Sequence, residues 1–133
     1  MVLTISKEKK ITELQMEFSR QYAFLKLEFY KVHDSNPYFL VRKHLPYEVL
    51  LKTAGLKKEG TIEVRDEMSL AELENIFLAK FGLDMQVSRK SGIVWLETTM
   101  TDNWTLEKQN EHGREISAVP QNVQLNESDN ENS

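Results

Sequence analysis

The side chains best able to do chemistry are the three histidines, His33, His44 and His112. They lie far apart along the chain, without the H-x-H or H-E-x-x-H spacing that sets two imidazoles on one metal. Surface histidines need no special role, so no metal site is expected. There is no cysteine, which removes thiolate nucleophiles, disulfides and cysteine-ligated zinc together. Glycines 55, 60, 82, 92 and 113 form neither G-x-G-x-x-G nor a P-loop, so no nucleotide cofactor of those kinds is expected. Asp66, Glu67, Glu72 and Glu74 could bring an acid pair together near a helix start. Acidic residues there also complement the helix dipole, which is the simpler account. No serine sits in a G-x-S-x-G elbow with a histidine nearby in sequence, so catalysis is not the expected role.

Two arrangements remain. Thr98, Thr99, Thr101 and Asp102 gather oxygens at a strand end, where they either orient a ligand or close hydroxyl and Asx turns on the backbone. The second is a sheet face. If Leu25, Leu27, Ile62, Val64, Met85, Val87, Val94 and Leu96 point into the core, alternation turns Lys26, Glu28, Tyr30, Glu63, Arg65, Gln86, Ser88, Trp95 and Glu97 outward. Trp95 then carries about 150–250 Å² of surface among polar neighbours. Either a terminal helix covers it, with Trp104 contributing, or a partner does. The candidate binding set is Trp95, Tyr30, Arg89, Lys90 and Gln86, with Arg89 and Lys90 at the rim of a hairpin loop. A protein partner is the leading reading. Single-stranded nucleic acid is the alternative, since Trp95 and Tyr30 beside Arg89 and Lys90 outline a stacking platform, and a small enzyme or ligand carrier, which would need a concave pocket, is the third class.

These residues need a sheet and helices to hold them. Ile11, Leu14, Phe18 and Tyr22 recur at helical spacing over 7–22, although LQMEF also alternates like a strand. FLKLEFYKV alternates as a half-buried strand. HDSNP marks a turn, YFLVRKH is apolar then basic, and Pro46 can start a short helix through Leu51 that Gly55 ends. Thr61 to Arg65 reads as a strand. Ser69 and Glu72 make a capping box, Leu70, Leu73, Ile76, Phe77 and Phe81 an apolar stripe, and Gly82 a stop, so 69–81 is helical. Strands at 84–88 and 93–99 joined by RKSG form a hairpin. Asp102 or Thr105 caps a last short helix through His112, ended by Gly113.

Residues 81–113 contain FGL, QV, RKSG, VWLETT, TD, WTL and QN. At that spacing the segment resembles the hallmark stretch of a small bacterial protein family of unassigned function, with weaker similarity from Phe24 and in MSLAELE. About half the chain is covered, and the part from His33 to Gly60 hardly at all. Where that family carries an aromatic after QV, this chain has Ser88, so an apolar contact at that position is not carried over. The resemblance implies no reaction, cofactor or partner.

At 133 residues, with 40% hydrophobic and 29% charged side chains, the chain fits one domain able to bury its own core. The expected fold is α+β: a small mixed β-sheet of about four strands with a crossover helix, a C-terminal β-hairpin and short flanking helices, over residues 1–115. Residues 116–133 are polar and Asn-rich and read as a disordered acidic tail. Of the net charge of −4, most falls after Gly113, where Arg114 stands against Glu115, Glu127, Asp129 and Glu131. The body lacks the basic excess of a nucleic-acid binder. No apolar run is long enough to span a bilayer and MVLTISKEKK lacks a secretory signature, so a cytoplasmic protein without membrane contact is expected.

Overall fold

The computed structural model describes the backbone of residues 1–36 and 39–127, and within it the side chains of 1–31 and 42–118. Among the described residues six strands form two antiparallel sheets. Strand β1 (Val2–Ile5) pairs with β4 (Gly60–Glu63), Leu3 opposite Ile62. The larger sheet has the order β3-β2-β5-β6, with β2 Leu25–Asn36, β3 Phe39–His44, β5 Asp84–Ser91 and β6 Val94–Glu97. All its pairings are antiparallel. The Ile62 strand therefore belongs to the small ribbon rather than the larger sheet, and the parallel pairing that would have mixed that sheet does not arise. The α+β class with a four-stranded sheet and a C-terminal hairpin is the observed one.

The inner face of the sheet, through Leu25, Leu27, Phe29, Met85 and Val87, enters one core with apolar residues of both β1–β4 strands and of the helices. Helix α1 (Ile11–Gln21) buries Ile11, Leu14 and Phe18 and leaves Met16 exposed, which is helical and not strand periodicity. Helix α3 (Leu70–Phe81) starts at Ser69, whose hydroxyl accepts the Glu72 N–H at 3.0 Å. It ends as expected: Gly82 has φ 74°, and Leu83 N–H returns to the Phe77 carbonyl. Phe29 meets Phe77 edge-on across the core at 5.9 Å.

Several elements depart from the sequence pattern for identifiable reasons. β1 was not anticipated; its four residues alternate exposed and buried, too short a run to stand out. β2 continues through HDSN, and β3 takes up FLVRKH; Pro37, the last residue of the expected turn, and Tyr38 lie outside the described residues. The helix expected from Pro46 begins only at Leu51 (α2, Leu51–Ala54). The residues before it have another task, because the Tyr47 and Val49 carbonyls accept the Thr12 and Ile11 N–H groups that open α1. The hairpin closes at Gly92–Ile93, so Arg89 and Lys90 belong to β5 rather than to a loop.

The stop expected at Gly113 does not occur: α4 runs Leu106–Glu127, carrying the backbone past the domain limit drawn at residue 115. Ser117 already contacts the hairpin, its hydroxyl accepting the Gly92 N–H at 3.2 Å. The rest of the acidic tail, from residue 128, lies outside the described residues. Thr105 is the cap, accepting the Lys108 N–H, whereas the Asp102 carbonyl serves Ala71 of α3. Glycine is needed at 113 for closeness rather than for a turn. A Cβ there would stand 2.9 Å from Phe24 Cβ, 3.1 Å from Arg89 Cγ and 3.3 Å from the Lys90 carbonyl. Gly113→Ala is therefore expected to push α4 off the sheet and cost about 1–3 kcal/mol, despite alanine's better helix propensity. Urea unfolding checks this; a variant as stable as the parent would show that the helix shifts without loss.

Candidate functional site

The outer face of the larger sheet is built by register. Lys26 stands opposite Ser88, which stands opposite Glu97; Glu28 pairs with Gln86, Tyr30 with both Asp84 and His44, and Lys90 with Trp95. Directly paired residues share a face, so Tyr30, Gln86, Lys90 and Trp95 are brought together there. Arg89 is not. It pairs with Leu25 and Leu96 and belongs to the inner side, where its guanidinium donates to Gln109 Oε1 of α4 at 3.2 Å.

The outer-face charges are engaged with one another. Glu28, nearly buried, receives Lys26 on one oxygen at 3.0 Å and His44 on the other at 2.7 Å. Burial draws the Lys26 amine down, but the hydrogen bond and charge of Glu28 outweigh it and hold the pKa above its usual value. Arg42 forks onto both oxygens of Asp84 at 2.9 Å and also reaches Gln86 Oε1 at 3.1 Å. The Asp84 pairing keeps its pKa raised. Gln86 passes the chain of contacts to Thr99 Oγ1. The aromatic rings are engaged as well: Arg42 lies 3.7 Å over Tyr30, whose other neighbour is His44 edge-on at 5.3 Å, and Lys26 lies 4.8 Å over Trp95. Burial, only partly opposed by Arg42, raises the Tyr30 pKa. Nothing in the sequence pattern places Arg42 or His44 on this face; the available signal was the basic end of YFLVRKH, once read as a strand.

Trp104 does not cover Trp95. It stands in a cleft of about 710 Å³ with Tyr22, Asp66, Lys108 and His112, its ring 5.4 Å from His112 and under the Lys108 amine at 4.4 Å. Tyr22 donates to Asp66 at 2.6 Å, and burial together with that carboxylate drives the phenol pKa well above its usual value. The threonine run serves structure: Thr98 donates to the Val87 carbonyl at 2.8 Å and the Thr101 carbonyl accepts from Gln109. Among the described residues no group of three or more histidines and carboxylates is placed to hold a metal, and no helix is long and apolar enough to cross a membrane.

The unsatisfied surface is at the sheet margin. Val94 and Leu96, expected in the core, are 51% and 42% exposed, beside Ile93 at 89% and Met100 at 95%. The reason is geometric. Strands are about 4.8 Å apart and packed helices about 8–10 Å, so a helix layer seated on β2 and β5 stops short of β6. Half-buried Trp95 marks the other side of the same strand.

Comparison with models of known protein families, with curated proteins and with solved structures finds no match.

Glu74 of α3 accepts the Val87 N–H at 3.0 Å in the cleft beside Arg42 and Asp84, and burial raises its pKa despite that bond. A carboxyl whose folded pKa exceeds its unfolded one destabilises the fold when ionised. The penalty is absent below the unfolded value, about 4.3, grows as pH rises through the raised folded value, and is complete above it. Glu74→Gln keeps an acceptor without the charge, so it should match or exceed the parent's melting temperature at pH 7 and lose any advantage below pH 4. Glu74→Ala instead strands the amide and should cost about 1–3 kcal/mol. Melting curves across pH decide both.

Proposed function

We propose that this chain is a non-enzymatic protein-interaction module that docks a partner along the β5–β6 hairpin and the adjoining sheet margin. The observation that carries the reading is the exposure of Ile93, Val94, Leu96 and Met100 around the half-buried Trp95. Single exposed apolar residues are ordinary, but Val94 and Leu96 on edge strand β6, flanked in sequence by Ile93 of the turn and Met100 just past the strand, make the kind of apolar group that marks an interaction surface. The segment 81–113, on which the family resemblance rests, is the stretch that builds this surface. Of the five residues first nominated, Trp95 and Lys90 border it directly. Tyr30 and Gln86 belong to the paired network further in, and Arg89 approaches from the inner side.

Single-stranded nucleic acid is the second reading, favoured by Trp95 and Tyr30 sharing a face with Lys26, Arg42 and Lys90. Stacking bases would have to displace Lys26 and Arg42 from the rings, and Glu28, Asp84 and Glu97 offset the positive charge on that face.

The test separates binding from folding. Leu96→Asp alters an already exposed side chain and should change stability by no more than about 0.5 kcal/mol, while abolishing association with a partner identified by cross-linking to the unaltered protein. Trp95→Ala should weaken the same association at a stability cost below the about 3–5 kcal/mol of a fully buried aromatic. Loss of fold in Leu96→Asp, or association unchanged in both variants, overturns the reading. Oligonucleotide binding that weakens steeply with salt would put the second reading in its place.

A further inference from the structure

The inner side of β6 combines exposed apolar residues with a cation that the described residues leave uncompensated. Arg89 and Leu96 are cross-strand neighbours on this side, with Val94 two residues along. The Arg89 stem is pinned under α4 at Gly113 and one terminal nitrogen donates to the neutral Gln109 amide, itself fully buried. Its Nε is buried without an acceptor, and no carboxylate pairs with the guanidinium among the described residues. Of the other described arginines, Arg42, Arg65 and Arg114 each meet a carboxylate, and Arg20, which meets none, is exposed to solvent where Arg89 is partly buried. A partly desolvated guanidinium held only by neutral groups favours an incoming anion.

We infer that the partner presents an amphipathic acidic helix, which takes the place beside α4 beneath β6 that the described residues leave uncovered. This rests on the interaction reading above and names its occupant. Charge complementarity selects an acidic segment, since an anionic side chain on the flank facing α4 meets Arg89 while an apolar stripe covers Val94 and Leu96. The packing geometry selects a helix, because the position left uncovered by the described residues continues the layer formed over β2 and β5. An extended strand added to the β6 edge would use the backbone of only Val94–Glu97 and would leave the inner apolar side chains less covered.

The full-length protein is immobilised and challenged with a displayed library of short helix-forming peptides, and the recovered sequences are synthesised for titration. Enrichment of Asp or Glu beside an i, i+4 apolar pair is expected. Replacing that acid by its amide should weaken binding about tenfold or more, as should Arg89→Met in the protein; the two changes together should cost little beyond either alone. Lys52→Ala, a charge removed elsewhere, should leave affinity unchanged. If Arg89→Met fails to fold, the amide substitution in the peptide still decides the matter, with Arg89→Lys as the charge-retaining control. Recovered peptides without acidic enrichment, or indifferent to both changes, overturn the inference. If those peptides still lose binding in Leu96→Asp, the docking surface stands and only its occupant is wrong. Peptides recovered independently of both Leu96 and Arg89, or no peptide recovered at all, count against the surface as well.

Discussion

The strands of the larger sheet have unequal lengths, so backbone groups beyond the ends of the ladders need partners from elsewhere. A buried amide or carbonyl left alone costs as much as a lost hydrogen bond, and the helices supply what the neighbouring strands do not. On the β3 side, the ladder with β2 begins only at Tyr30, and Gln15 of α1 donates to the Leu27 carbonyl at 2.7 Å. On the β6 side, the last pair is Ser88 with Glu97; beyond it Glu74 takes the Val87 N–H and Thr98 its carbonyl. At the end of β2, Asn110 of α4 accepts the Phe24 N–H at 2.9 Å. Each of these bonds fixes one element against a named point of the sheet, so register, helix placement and sheet margin are settled together.

The same constraint divides the two faces of the sheet. The inner face is apolar as far as the helices extend and exposed beyond them. The outer face has no helix over it among the described residues, yet its charges are not dispersed into solvent. Glu28, Lys26, His44, Arg42, Asp84 and Gln86 form paired contacts that account for most of the polar capacity there. Paired charges of this kind resist desolvation by a partner, whereas Val94 and Leu96 gain from it. The balance favours the margin over the centre of the face as the surface for the proposed partner.

Local signals were legible wherever a short stretch of chain carried its own boundary. Ser69, the Leu70–Phe81 stripe and Gly82 specified α3 without help, and alternation specified β2 and the hairpin. What could not be read depended on distant contacts. β1 is a strand because β4 completes it across the chain, and residues 46–50 are not helical because α1 requires their carbonyls. Gly113 looked like a stop since a glycine's need for proximity and its need for a left-handed turn leave the same letter. Alternation correctly placed Trp95, Tyr30 and Gln86 on one face, whereas Lys90 joins them as a β5 residue and not as part of a loop. It also put Val94 and Leu96 in the core, because periodicity states which way a side chain points and not whether anything stands there.

The order β3-β2-β5-β6 has a consequence for how the chain reaches this state. β2–β3 and β5–β6 are each hairpins whose strands are neighbours in sequence, so each can close quickly over a short loop. The central ladder joins Leu25 to Arg89 and Tyr30 to Asp84, across the whole of β3, α2, β4 and α3. Loop-closure entropy for that step is met before its contacts repay it. Assembly of the two hairpins, rather than formation of either, is therefore the slow event. During it the edges of β2 and β5 that will meet are as open as the outer edges of β3 and β6, so the two separate hairpins offer four edges where the finished sheet presents two.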